Sequence, residues 1–215
     1  MKKHYYLLAD NETTMRHTVA DFGAVVADRH GNIVEQFGAM VEGEFGVHPL
    51  FFNRKADKSD FWSAQSAQRR AKDYRQMLAR GDRVIASPTG IVRWLERVRG
   101  QYNPVLTAYN ISFDLGACRN TGIDLGMFGS RFCLMKVAKA TIGKTPEYAE
   151  FCHARGLLTP TGLLKMTVDS MAHFIVGDDL APEPHTALED ARDYEAVILA
   201  YILRNLSRKK LLALG

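Results

Sequence analysis

Apolar and aromatic residues cluster over 5–11, 21–28 and 32–41, with turn formers between them, notably His30-Gly31-Asn32. Short runs rich in Val, Leu and aromatics, bounded by such breaks, predict three strands, the second and third joined as a hairpin. Helical spacing follows over 59–79, closed by Gly81, and over 91–98, where Ser87-Pro88 supplies a cap and first-turn proline and Gly100 the stop. A fourth strand is expected over 104–109, a helix over 112–119 ending near Gly122, and a fifth strand over 131–134. Beyond it the pattern is helical over 136–141, 147–154, 168–176 and a long last stretch from about 187 to 205. Strands first, then strands alternating with helices, predict a mixed α/β sheet covered on both faces. With no internal repeat or low-complexity linker, residues 1–215 read as a single domain.

Composition narrows the class without naming it. Hydrophobic residues at 47% and charged residues at 24% are those of a globular chain with a full core, which excludes coiled coils, collagens and wholesale disorder. No apolar run approaches the roughly 18 residues of a membrane span or the pattern of a secretory leader, so the expectation is a cytoplasmic protein with no membrane partner. Cys118, Cys133 and Cys152 are odd in number with no close pair, which argues against a disulfide framework and for buried thiols. Cys152-His153 lacks the partners that a metal site or thiol dyad requires.

The net charge of +4 is mildly basic, but its distribution is uneven. Residues 1–50 carry seven acidic side chains against four basic ones, and residues 51–100 carry twelve basic against five acidic, with Phe51, Phe52, Phe61, Trp62 and Trp94 interleaved. An acidic lobe beside an arginine-rich aromatic one suits a metal-dependent enzyme acting on a polyanion. Charge at helical spacing is also what a solvated face looks like.

Three short segments carry candidate chemistry. Asp10 and Glu12, two apart where the first strand ends, point to one face and offer the oxygen donors that hard divalent cations take; a solvated strand end has the same composition. Asp114 falls in the first turn of the helix after strand four, where Ser112 can serve as cap and the helix dipole favours a carboxylate. That place is also the carboxyl edge of the sheet, where open α/β sheets bind ligands. Pro182 and Pro184 hold the chain extended ahead of His185, so His185 sits just before the last helix and Asp190 lies more than one turn inside it. Each of these residues alone could be an ordinary exposed side chain. Together, four converging carboxylates would repel unless cations neutralised them. Two divalent ions about 4 Å apart stabilise both oxygens of an in-line phosphoryl displacement, and a histidine beside them, with its pKa near working pH, is suited to accept a proton.

The order Asp-x-Glu-Thr, Asn-x-x-Phe-Asp, His-x4-Asp, carried by LADNETT, AYNISFDLGAC and HTALEDA, resembles the three motifs of the DnaQ-like 3′→5′ exonucleases, the histidine-bearing (DEDDh) branch of the ribonuclease H-like superfamily. It spans Tyr5 to about Leu203, with residues 45–103 matching only loosely and read as a basic, aromatic, helical insertion or elaboration. The resemblance implies a ribonuclease H-like α/β fold, a five-stranded mixed sheet with its second strand antiparallel to the rest, and two Mg²⁺ or Mn²⁺ ions per site. It implies Asp10, Glu12, Asp114 and Asp190 as metal ligands and His185 as general base. Thr13 and Phe113 would contact the terminal nucleotide, and Asn110 would support the turn of the second motif. The histidine assigns the branch, because the sister group carries a tyrosine at the place that is Thr186 here.

Two departures stand out: Met15-Arg16 where many relatives carry glycine, and Cys133-Leu134 where an Asp-Thr pair is common. The expected function is a 3′→5′ exonuclease that releases nucleoside 5′-monophosphates from a nucleic acid with a free 3′ end, DNA favoured over RNA, from single-stranded or frayed ends. An RNA 3′-end trimming exoribonuclease shares the same residues, and a non-catalytic nucleic-acid-binding module shares the fold. The stretch 51–100, basic and aromatic beyond what the fold requires, is expected to extend the strand-binding surface, with Arg69, Arg70 and Arg75 the residues that would test it. A polymerase or homodimer partner is not legible in the sequence.

Overall fold

The computed structural model describes residues 4–215. β1 (Tyr5–Thr13), β2 (Val19–Asp28) and β3 (Ile33–Val41) form an antiparallel meander whose second turn passes through Gly31 at φ +86°. α1 (Ala64–Arg80), β4 (Val84–Ala86), α2 (Pro88–Tyr102), β5 (Val105–Ala108), α3 (Ile111–Thr121) and β6 (Arg131–Cys133) follow. The chain continues through α4 (Leu134–Thr141), a 3₁₀ turn (Ile142–Lys144), α5 (Pro146–Ala154) and α6 (Val168–Val176). It closes with α7 (Ala187–Glu189), a π-helical segment (Asp190–Glu195), α8 (Ala196–Asn205) and α9 (Arg208–Leu214).

The strands lie in the order β4-β3-β2-β1-β5-β6, with β1 parallel to β5, β5 to β6 and β3 to β4. Only β2 runs against the others, as expected for the second strand, with one strand more than the five expected. The extra strand, β4, is three residues long, sits inside the 45–103 elaboration at the sheet edge and leaves Val84 and Ile85 exposed, so its apolar residues mark no buried face. Both faces are covered. Tyr6, Leu8, Val25 and Val105 pack with α4, α5, α6, α8 and α9, while Leu7, Ala9, Val26 and Leu106 pack with α2 and α3. Consecutive residues of β1 therefore face two cores, and the strand reads as a continuous apolar run.

Several boundaries differ from the sequence expectation for local reasons. The helix expected over 59–79 begins at Ala64, because Ser63 is the residue whose side chain accepts from the Ser66 N–H; Phe61 and Trp62 stay outside it. α2 runs through Gly100 to Tyr102, and Asn103, in the left-handed conformation at φ 44°, ends it. Ser112 does not cap α3: Asn110 holds the cap position, with no side-chain hydrogen bond. β1 continues through Glu12 and Thr13, paired with Asp21 and Val19 of β2, the intervening Ala20 of β2 forming a bulge. The stretch expected as one long last helix is interrupted by the π-helical segment, and the basic tail forms α9, capped by Ser207 and anchored by buried Leu211. The three cysteines are free and buried, as expected. No helix among the described residues is long and apolar enough to cross a membrane.

The start of α7 lies directly on the sheet. A Cβ at Gly23, which pairs with Asp10 across β1 and β2, would fall 2.1 Å from the Ala187 carbonyl carbon. Asp21 Oδ2 accepts from the Ala187 N–H at 3.0 Å, and Arg83 Nε donates to Asp21 Oδ1 at 3.2 Å. The same guanidinium bonds Glu189. Because Arg83 and Asp21 are fully buried, removing one partner leaves an uncompensated charge. Arg83→Met is expected to lower unfolding free energy by about 3–5 kcal/mol, read by denaturant titration; a loss under about 1 kcal/mol would show that the network does not hold α7 down.

Candidate active site

β1 and β5 run parallel and end side by side, with Leu8 opposite Thr107. Asp10 and Glu12 therefore emerge at the same sheet edge as the β5–α3 turn that carries Asn110, Phe113 and Asp114. α7 crosses above, seated on Gly23, and brings His185 and Asp190 to that edge. Asp10, Glu12, Thr13, Asn110, Phe113, Asp114, His185 and Asp190 all line one cavity of about 420 Å³. The structure thus brings the eight residues singled out in the three motifs to one cavity, while Arg69, Arg70 and Arg75 lie outside its lining. Ligand atoms of Glu12, His185 and Asp190 lie within 4.8 Å of one another. Asp114 Oδ1 accepts from Asn11 Nδ2 at 3.0 Å, which fixes one of its oxygens. Asn110 supports the turn through its backbone, its carbonyl accepting from the Phe113 N–H at 2.8 Å, rather than through its side chain. Phe113 is 45% exposed at the cavity mouth.

The electrostatics are those of crowded acids. Burial, then the charges of Asp114, Glu195, Asp190 and Glu12, push Asp10 well above the usual carboxylate range. Burial pushes Glu12 to about 8 against the opposing pull of Arg70. Asp114 and Asp190 are raised as well, burial again the first cause. His185 moves the other way: burial and the Arg70 guanidinium lower its pKa, leaving a neutral imidazole at pH 7. Asp190 Oδ1 and Glu195 Oε2 are buried with no hydrogen-bond partner. Unpartnered carboxylate oxygens in a cluster of acids suit a hard divalent cation, so Glu12 and Asp190, which with His185 come close enough to share one ion, fit such a group, while Asp10 and Asp114 line the same cavity outside that close set.

Sequence reasoning missed several neighbours. Glu183, between Pro182 and Pro184, lines the cavity with its pKa raised by burial to about 7, and its Oε1 lies 3.9 Å from His185 Nδ1. Its place two residues ahead of His185 on a stiff segment was a usable signal. Glu195 had none. In an α-helix, residues five apart lie about 140° apart around the axis, whereas i→i+5 bonding, seen in the Ala196 N–H to Ala191 carbonyl bond, brings Asp190 and Glu195 toward one face. Arg70 was expected on the outer surface with Arg69 and Arg75. It is instead buried, its Nη1 3.7 Å from Glu12 Oε2, while Arg69 and Arg75 are exposed. The first-loop departure is also explained: Met15 Sδ accepts from the Phe52 N–H at 3.3 Å and Arg16 Nη1 meets His48 Nε2 at 3.0 Å, tying this loop to the elaboration.

No family model and no curated protein matches the sequence. Among solved structures, a crystal structure of exonuclease I in complex with the inhibitor BCBP aligns with 99% of this chain at 15% identity and a TM-score of 0.47. The alignment covers 43% of that protein, so the chain spans less than half its length.

The raised carboxyl pKa values set a pH dependence. A folded-state Glu12 that keeps its proton to about pH 8, against an unfolded value near 4.5, means the folded state binds more protons than the unfolded one across that window, so stability falls as pH rises through it. With chelator present, Tm is expected to drop between pH 5 and pH 8; Mg²⁺ or Mn²⁺ is expected to raise Tm, and more at pH 8 than at pH 5. A chelated Tm that rises over this window, or a metal-induced shift independent of pH, would contradict the reading.

Proposed function

We propose that the protein is a metal-dependent 3′→5′ exonuclease of the DnaQ-like, DEDDh type. The observation that carries this reading is the meeting, in one cavity, of acids and a neutral histidine from segments up to 180 positions apart, in the motif order described above. Divalent cations held by Asp10, Glu12, Asp114 and Asp190 would supply positive charge to the scissile phosphate and its developing oxyanions. His185, held neutral, accepts the proton of the attacking water. The water oxygen bonds to phosphorus, the bond from phosphorus to the 3′ oxygen breaks, and that oxygen takes a proton from solvent. The products are a nucleoside 5′-monophosphate and a strand with a new 3′ hydroxyl. Thr13, at the cavity wall, and Phe113, at its mouth, contact the terminal nucleotide. A cavity of about 420 Å³ is of the size that admits one nucleotide, which favours single-stranded or frayed ends over a stacked duplex. DNA is the favoured substrate. The exposed Arg69 and Arg75 extend the strand path beyond the cavity.

The test is the time course of products from 5′-labelled single- and double-stranded DNA and RNA, with and without Mg²⁺. Stepwise shortening of single-stranded DNA that stops with chelator is expected; RNA shortened faster than DNA would move the reading to an exoribonuclease, and no shortening of any strand would favour a binding module. His185→Ala is expected to keep metal binding by calorimetry while slowing hydrolysis about 10²–10⁴-fold; lost metal binding would make His185 a ligand instead. Reversing Arg69 and Arg75 together should weaken strand binding and flatten its salt dependence, and unchanged affinity would remove that surface from the path.

A further inference from the structure

His185 has little of its own segment to hold it. It lies between Pro184 and the first turn of α7, in the left-handed region at φ 53°, and Glu183 Oε1 is beyond hydrogen-bond distance from its Nδ1 at 3.9 Å. The contacts that fix it come from the elaboration. The Phe61 and Trp62 rings lie against the imidazole at centroid separations of 4.3 and 5.3 Å, and 5.0 Å from each other. The Arg70 guanidinium sits over both rings, at 4.9 and 5.0 Å, donates to the Phe51 carbonyl at 2.8 Å and reaches Glu12. One helical turn further along α1, the Tyr74 hydroxyl donates to the His185 carbonyl oxygen at 3.2 Å.

We infer that residues 61–74 form a positioning element for His185. Phe61 and Trp62 select one orientation of the imidazole, Tyr74 holds the left-handed backbone beneath it, and Arg70 links the aromatic pair to Glu12, so that the proton acceptor and a metal-holding carboxylate are set by one device. Orientation at this level matters because a displacement of about 1 Å at a reacting group costs about 10²-fold in rate. In its effect on turnover the inference rests on the exonuclease reading; in its effect on His185 geometry it does not.

The experiment therefore has two readouts: the His185 ring-proton resonance in chelator, assigned by comparison with His185→Gln, and steady-state kinetics on single-stranded DNA with Mg²⁺. Trp62→Leu is expected to move the resonance toward that of a solvent-exposed histidine and to lower kcat by about tenfold or more while KM stays within about threefold; Trp62→Phe restores both. Tyr74→Phe, which keeps the buried ring and so the fold, moves the resonance in the same sense and lowers kcat by a smaller factor. A raised KM with kcat intact would make Trp62 a strand contact and overturn the inference, as would a lost kcat with the resonance unmoved. A resonance that responds in a protein that degrades no nucleic acid would leave the positioning element standing and defeat the exonuclease reading.

Discussion

Six carboxylates, those of Asp10, Glu12, Asp114, Glu183, Asp190 and Glu195, crowd the carboxyl end of β1, and among the described residues the guanidinium in contact with them is Arg70, at Glu12. Burial raises the pKa of each member, and the charges of other members add to it at Asp10, Glu12, Asp190 and Glu195, so the arrangement stores an affinity for positive charge. Stability for such a site has to come from elsewhere. It comes from two apolar cores on either side of β1 and from the Asp21–Arg83–Glu189 network that ties α7 to β2 and to the start of β4.

Close backbone approach is what turns those distant anchors into a site. Gly23 lets the start of α7 rest on the sheet opposite Asp10, and the π-helical segment that follows re-phases the helix so that both Asp190 and Glu195 turn inward. A bulge at Ala20 of β2 lies opposite Glu12 and Thr13, where β1 stays paired through its polar end. Each device departs from regular geometry, and each sits within a few residues of a candidate functional side chain.

Helix α1 divides the elaboration into two surfaces. Its inner face, with Arg70 and Tyr74, is part of the construction of the site; its outer face carries Arg69, Lys72 and Arg75 to solvent. An arginine count over 51–100 treats these residues alike, yet burial makes Arg70 a partner of Glu12 and leaves its neighbours exposed.

Much of this was legible along the chain. The apolar runs of β1, β2 and β3, the Ser87-Pro88 start of α2 and the order of the acidic motifs all follow from local pattern, because strand alternation, capping and proline geometry act within a few residues. β4 was hidden because its exposed Val84 and Ile85 mark no buried face, and the true start of α1 because the bond from the Ser66 N–H to the Ser63 side chain leaves no pattern in the sequence. Residue type and order along the chain determined the fold class and the candidate acids and histidine. Tertiary structure alone decided that Arg70 turns inward, that Glu183 and Glu195 join the acids, and that Phe61, Trp62 and Tyr74 hold His185, because helix phase, close approach and burial are relations between distant segments and leave no mark in either segment by itself.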